Sequence, residues 1–118
     1  MIGFPSSVKI FICASPTDMR KSFDSLATLV REFMGGDPLS GYLFVFRNKC
    51  GDRVKILYWE RTGYCLYYKR LEQGTFRFPA ANSSAGVEVT ANDLWLMLEG
   101  VELAGAKWQR RYSWPART

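Results

Sequence analysis

Between residues 38 and 79 three apolar-aromatic runs, Tyr42 to Phe46, Val54 to Trp59 and Tyr64 to Tyr68, are separated by short turn-like connections. The connections Asn48 to Asp52, containing Gly51, and Arg61 to Gly63 are of hairpin length, so the pattern predicts three antiparallel strands. This spacing sets Phe46 opposite Val54, Phe44 opposite Ile56 and Tyr42 opposite Tyr58, with Leu66 and Tyr68 continuing the row toward the core. Because side chains alternate along a strand, the other face is then expected to carry Val45, Arg47, Arg53, Lys55, Leu57, Trp59, Cys65, Tyr67 and Lys69. Basic and aromatic groups interleave on it, a combination that neutralises phosphates and stacks on bases. The same pattern also fits a half-buried sheet whose basic residues solubilise it and whose Trp59 and Tyr67 lie under a helix or loop. Lys55 and Lys69 fall side by side in this register, an unfavourable pair unless an anion or acidic surface lies between them.

Upstream, Val8 to Cys13 reads as a strand, and Ser15-Pro16-Thr17-Asp18 matches a helix start with Ser15, or alternatively Thr17, as the cap. Met19, Phe23, Leu26, Val30 and Phe33 then form an apolar helical stripe to about Met34, where Gly35-Gly36 stops it. Arg20 and Lys21 lie on the polar side of that helix, either as solvated charges or against a phosphate near its first turn. Downstream, Phe76 to Phe78 reads as a short strand and Pro79 to Gly86 as a loop of small residues. Val87 to Val89 is a candidate edge strand. Thr90-Ala91-Asn92-Asp93 is a capping box for a second helix bearing Leu94, Trp95, Leu96, Met97 and Leu98, apolar around much of its circumference.

At 118 residues, 47% hydrophobic, the chain suits one α+β domain: a compact antiparallel sheet of about four to five strands built from consecutive hairpins, with two helices packed on it. We expect this domain over residues 1–106 and a basic, aromatic C-terminal tail over 107–118. The net charge is +5, and the segment Arg47 to Arg77 alone holds eight basic residues against three acids. The tail adds Lys107, Arg110, Arg111 and Arg117 without an acid, interleaved with Trp108, Tyr112 and Trp114. Such a segment suits ordering on nucleic acid or on a protein, and equally a fold-back onto the acidic second helix. Arg70 extends the basic set of the sheet.

The sequence contains no histidine, which removes the commonest general base and the usual nucleophile pairs. With three cysteines (Cys13, Cys50 and Cys65) and no CxxC pair, neither zinc nor any other cofactor is expected. No apolar run of membrane-spanning length and no signal-peptide start is present, so a cytoplasmic protein with reduced thiols is expected. Gly41-Tyr42-Leu43-Phe44-Val45-Phe46 partly echoes an RNA-recognition strand, but Ser40 stands where Lys or Arg belongs and Leu43 where Gly or Ala belongs.

Several separated motifs occur together and in order: Thr17-Asp18-Met19-Arg20-Lys21-Ser22-Phe23-Asp24, Ser40 to Arg47, Gly51 to Trp59, Lys69-Arg70-Leu71-Glu72 with Gly74 and Phe76, and Leu98-Glu99-Gly100. On these the chain resembles the Orf2 (TnpB) accessory proteins of the IS sixty-six family of bacterial insertion sequences, over roughly residues 2 to 103. The resemblance implies a part in transposition beside a larger transposase, which carries the catalytic acids, and a second small accessory protein; it implies no active site. The shared name of an RNA-guided nuclease is a homonym. Binding of DNA, at the element ends or with the transposase, is the function expected, through Arg20, Lys21, Arg47, Arg53, Lys55, Trp59, Tyr67, Lys69, Arg70, Lys107, Arg110 and Arg111. The alternatives are an adaptor that docks the transposase without touching DNA and, more remotely, a nuclease using Asp18 or Asp52 with a metal.

Overall fold

A computed structural model describes residues 7–78 and 86–99. Strand β1 (Ile10–Cys13) is followed by helix α1 (Phe23–Leu29), which runs on into a π-helical turn, Val30–Met34. Strands β2 (Leu43–Arg47), β3 (Arg53–Glu60) and β4 (Gly63–Arg70) are consecutive hairpin partners. Strand β5 (Gly86–Val89) and helix α2 (Ala91–Glu99) complete the described elements. The sheet order is β4-β3-β2-β1-β5. Every pairing is antiparallel except β1 with β2, which α1 joins as a βαβ crossover. The α+β class stands, with one parallel pair where the hairpin pattern predicts none.

Both faces of the sheet are covered. On one, Leu26, Ala27 and Val30 pack over Cys13, Phe44, Phe46 and Leu57; on the other, Leu94, Met97 and Leu98 cluster with Ile10, Ile12, Leu43, Val45, Val54, Ile56 and Phe76. Four successive residues of the central strand β2, Leu43 to Phe46, are therefore buried, the continuous run expected of a strand covered on both sides. In α2 the buried Leu94, Met97 and Leu98 follow the i, i+3, i+4 stripe, while Trp95 is 52% exposed. Among the described residues no helix is long and apolar enough to cross a membrane.

Three expectations need correction. The first helix starts at Phe23 rather than near Ser15; the Ser22 N–H donates to Ser25 Oγ at 2.9 Å. Other bonds override the helix signal upstream: the Thr17 N–H donates to the Arg47 carbonyl of a distant strand at 2.7 Å, and locally Asp18 Oδ1 accepts the Arg20 N–H at 2.9 Å. Phe76 to Phe78 is not a strand; the Phe76 N–H bonds the Gly51 carbonyl at 2.8 Å and its ring enters the α2-side core.

The third correction is the register. Phe44 pairs with Leu57, Val45 with Ile56 and Phe46 with Lys55, one residue away from the expected alignment. At the first turn the Asn48 side-chain carbonyl accepts the Arg53 N–H at 3.0 Å, while the Asn48 backbone N–H donates to the Arg53 carbonyl at 3.2 Å. Asn48 and Arg53 thus close the hairpin around four residues. At the second, Glu60 pairs with Gly63, leaving a two-residue turn, Arg61-Thr62, with Arg61 at φ 45°. The two slips cancel for β4, so β3 alone is inverted. The expected stop did hold at Gly35, which caps the π-helical end of the first helix at φ 70°, and the expected start at Thr90, whose Oγ1 accepts the Asp93 N–H at 3.1 Å.

Candidate nucleic-acid interface

Inverting β3 divides the expected basic-aromatic row. Arg53, Lys55 and Trp59 lie on the α1 face with Tyr64, Leu66, Tyr68 and Arg70; Arg47, Tyr67 and Lys69 lie on the α2 face. Lys55 and Lys69 are accordingly on opposite sides, and Lys55 faces Tyr68 across the strands.

Two of the basic residues are occupied within the fold. Lys55 is 6% exposed; its Nζ donates to the carbonyls of Met19 at 2.8 Å and Lys21 at 2.7 Å and sits 4.7 Å from the Tyr68 ring centroid. It is a buried tether for the segment before α1. Arg47 donates to the Ala14 carbonyl at 3.4 Å and lies 5.7 Å over the Phe78 ring. The rings are similarly engaged: Trp59 packs edge-on to Tyr64 with centroids 5.2 Å apart, and Tyr67 joins the rim of the α2-side core. Burial, then the Glu99 carboxylate, raises the Tyr67 hydroxyl pKa above its ordinary value.

One group of accessible basic residues gathers where the β2–β3 turn meets the end of β4. Arg53 and Arg70 are directly paired across the strands. Arg53 donates to the Tyr68 hydroxyl at 3.3 Å, whereas Arg70 meets the Glu72 carboxylate at 3.0 Å in an exposed ion pair. Tyr68 itself is 48% exposed. Beside Arg53 a cavity of about 420 Å³ is lined by Thr17, Asp18, Asn48, Lys49 and Cys50 among others. On the neighbouring segment the Arg20 guanidinium forks onto Asp18, with Nε and Nη2 contacts of 2.7 to 3.1 Å. These bonds to Arg20 hold the Asp18 carboxyl at a pKa of about 2 and raise that of Arg20.

Of the residues expected to bind, the fold thus gathers Arg53 and Arg70 directly, with Arg20 and Lys21 on the adjoining segment. It separates Arg47, Tyr67 and Lys69 from them and buries Lys55. Lys107, Arg110 and Arg111 lie outside the described residues. Lys49 and Tyr68 were missed as candidates. A two-residue turn after β3 would have revealed Tyr68, since it moves Lys55 and Arg53 onto that side chain's face.

The sequence profile of the family described as IS66 Orf2 like protein matches residues 8–108, most of the chain and all of the elements described above. The chain belongs to that family. Membership connects it with an accessory role in insertion-sequence transposition. Two relatives from Sinorhizobium fredii (strain NBRC 101917 / NGR234), each named only as an uncharacterized protein, are similar along nearly their whole length. Protein y4hO is 36% identical over 102 residues, covering 86% of this chain and 88% of the relative; protein y4jC is 33% identical over 107 residues, covering 91% of each. No solved structure gives a significant match.

Proposed function

We propose that this IS66 Orf2-like protein is a non-enzymatic accessory factor that binds DNA, at the ends of its element or in the transposase–DNA complex, through the patch formed by Arg53, Arg70, Lys49 and Arg20. The carrying observation is the direct opposition of Arg53 and Arg70. Like charges in that position repel. A phosphate between them turns the repulsion into two charge-assisted hydrogen bonds, and guanidinium groups suit that geometry. The exposed ring of Tyr68 adds a surface on which a base or sugar can rest. The basic tail, including Lys107, Arg110 and Arg111, would extend the same electrostatic contact. The lack of histidine in the sequence supports the non-enzymatic reading, since it removes the commonest general base.

A second reading, an adaptor docking the transposase or a second small accessory protein, is favoured by the exposed rings of Trp95, Phe23 and Phe33. Gel shifts with element-end and scrambled duplexes, with and without transposase, separate the two. Direct binding requires a shift by the chain alone, lost in Arg53→Glu/Arg70→Glu. No shift without transposase, at any ionic strength, would favour the adaptor.

A further inference from the structure

Strand β4 is at one end of the sheet order, so among the described residues only β3 pairs with it. At eight residues it is twice the length of β5, the strand at the other end. Long open edges are normally blunted by charge, proline or a bulge. Here Gly63 to Tyr68 contains none of these, and its residue-by-residue pairing with β3 is unbroken. The Leu71 N–H donates to the Asp52 carbonyl at 2.8 Å, which fixes the alternation of the ladder. Odd-numbered residues of β4 bond β3, and the backbone groups of Tyr64, Leu66 and Tyr68 point to the open edge.

We infer that this edge pairs with β4 of a second copy of the chain, antiparallel and centred on Leu66, giving a continuous ten-stranded sheet. The strand is self-complementary about that point. Leu66 meets its own counterpart, Tyr64 meets Tyr68, and Cys65 meets Tyr67, so aromatic and aliphatic pairs fill the seam. The charges fall outside it: Lys69 comes opposite Gly63 and Arg70 opposite Thr62. Parallel pairing would bring the Lys69-Arg70 ends together, which like-charge repulsion opposes. Pairing of β4 with β5 of another copy would leave edges free and grow an open filament, whereas the two-fold arrangement closes.

The experiment is sedimentation of the full chain over a concentration series, alongside disulfide trapping. The expected species has twice the 13.5 kDa chain mass. Leu66→Lys sets two ammonium groups face to face at the two-fold and should weaken dimerisation by about tenfold or more, equivalent to about 1.4 kcal/mol. In a Cys50→Ser background, Tyr67→Cys should give an oxidised dimer joining Cys65 of one copy to the introduced thiol of the other. Those positions form a non-hydrogen-bonded pair with Cα atoms about 4.5 Å apart, within disulfide reach. This arm reads the register even if Leu66→Lys fails to fold. A chain that stays monomeric throughout overturns the inference. So does a dimer that forms no such cross-link, or one already linked through Cys65 without the Tyr67 substitution.

Discussion

Lys55 carries a formal charge into a nearly closed site and uses all of its polar reach there. Its Nζ holds the carbonyls of Met19 and Lys21, and the Tyr68 ring lies over it. Lys55→Met keeps the stem but leaves both carbonyls without that donor, so a loss of about 2 to 4 kcal/mol in denaturant melts is expected. A change within about 0.5 kcal/mol, the usual range for a surface substitution, would show that the tether is dispensable. Charge reversal at Lys55 is for the same reason a poor probe of binding. Asp18, five residues before the first residue of α1, behaves oppositely because it is exposed. Its folded pKa of about 2 lies below the ordinary 3.8, chiefly through the hydrogen bonds from Arg20. A depressed carboxylate contributes stability that is complete above the unfolded value and is lost as pH falls through the folded one, here between about pH 4 and pH 2. An NMR titration should place the Asp18 midpoint near pH 2, returning toward the ordinary range in Arg20→Ala. An ordinary midpoint in the unmodified chain would mean that the fork does not persist in solution.

At the level of elements, α1 is brief and is held at its end by geometry more than by propensity. Gly35 caps the π-helical turn that extends it, in the left-handed region at φ 70°, with nothing within 4 Å of where a Cβ would stand. Gly35→Ala should therefore cost about 1 kcal/mol from backbone strain alone, read as a lower melting midpoint without loss of folded spectra. An unchanged midpoint would show that the turn relaxes freely. This stop was legible because paired glycines announce it, and the second helix start was legible because Thr90 and Asp93 stand at capping-box spacing. The β3 register was not. Arg61 takes a positive φ that glycine or asparagine would ordinarily signal, so Gly63 drew the turn one residue too far along. Asn48 lent its side chain in place of its own carbonyl, which no spacing rule announces. A one-residue slip exchanges the faces of a strand, so these two local substitutions were enough to split Arg47, Tyr67 and Lys69 from Arg53, Lys55 and Trp59. The helix start failed differently: the residues from Ser15 to Lys21 carry a good local signal, but their backbone groups are claimed by Arg47 and Lys55 from distant strands.

Across the whole molecule, positive charge counts only where the fold leaves it open, and on the α1 face of the sheet that leaves the group around Arg53 and Arg70. Each phosphate contact removed from duplex binding should lower the slope of log affinity against log salt by about 0.9. Arg53→Gln/Arg70→Gln is thus expected to reduce that slope by about 0.9, for the one phosphate the two arginines share, with folding stability changed by no more than about 0.5 kcal/mol. Arg61→Gln supplies the control. It stands in the turn at the far end of β3, seven or eight residues of extended strand or roughly 25 Å from Arg53, at the usual strand rise. It removes the same net charge per residue without touching the patch, so its slope should stay close to that of the unmodified chain. Equal reductions per charge at both places would mean that the duplex senses only the overall charge of the protein, and the patch would lose its claim to be the contact. A slope unchanged in both variants, with affinity present only when transposase is added, would move the contact to a protein surface and leave the exposed Trp95 as the next residue to alter.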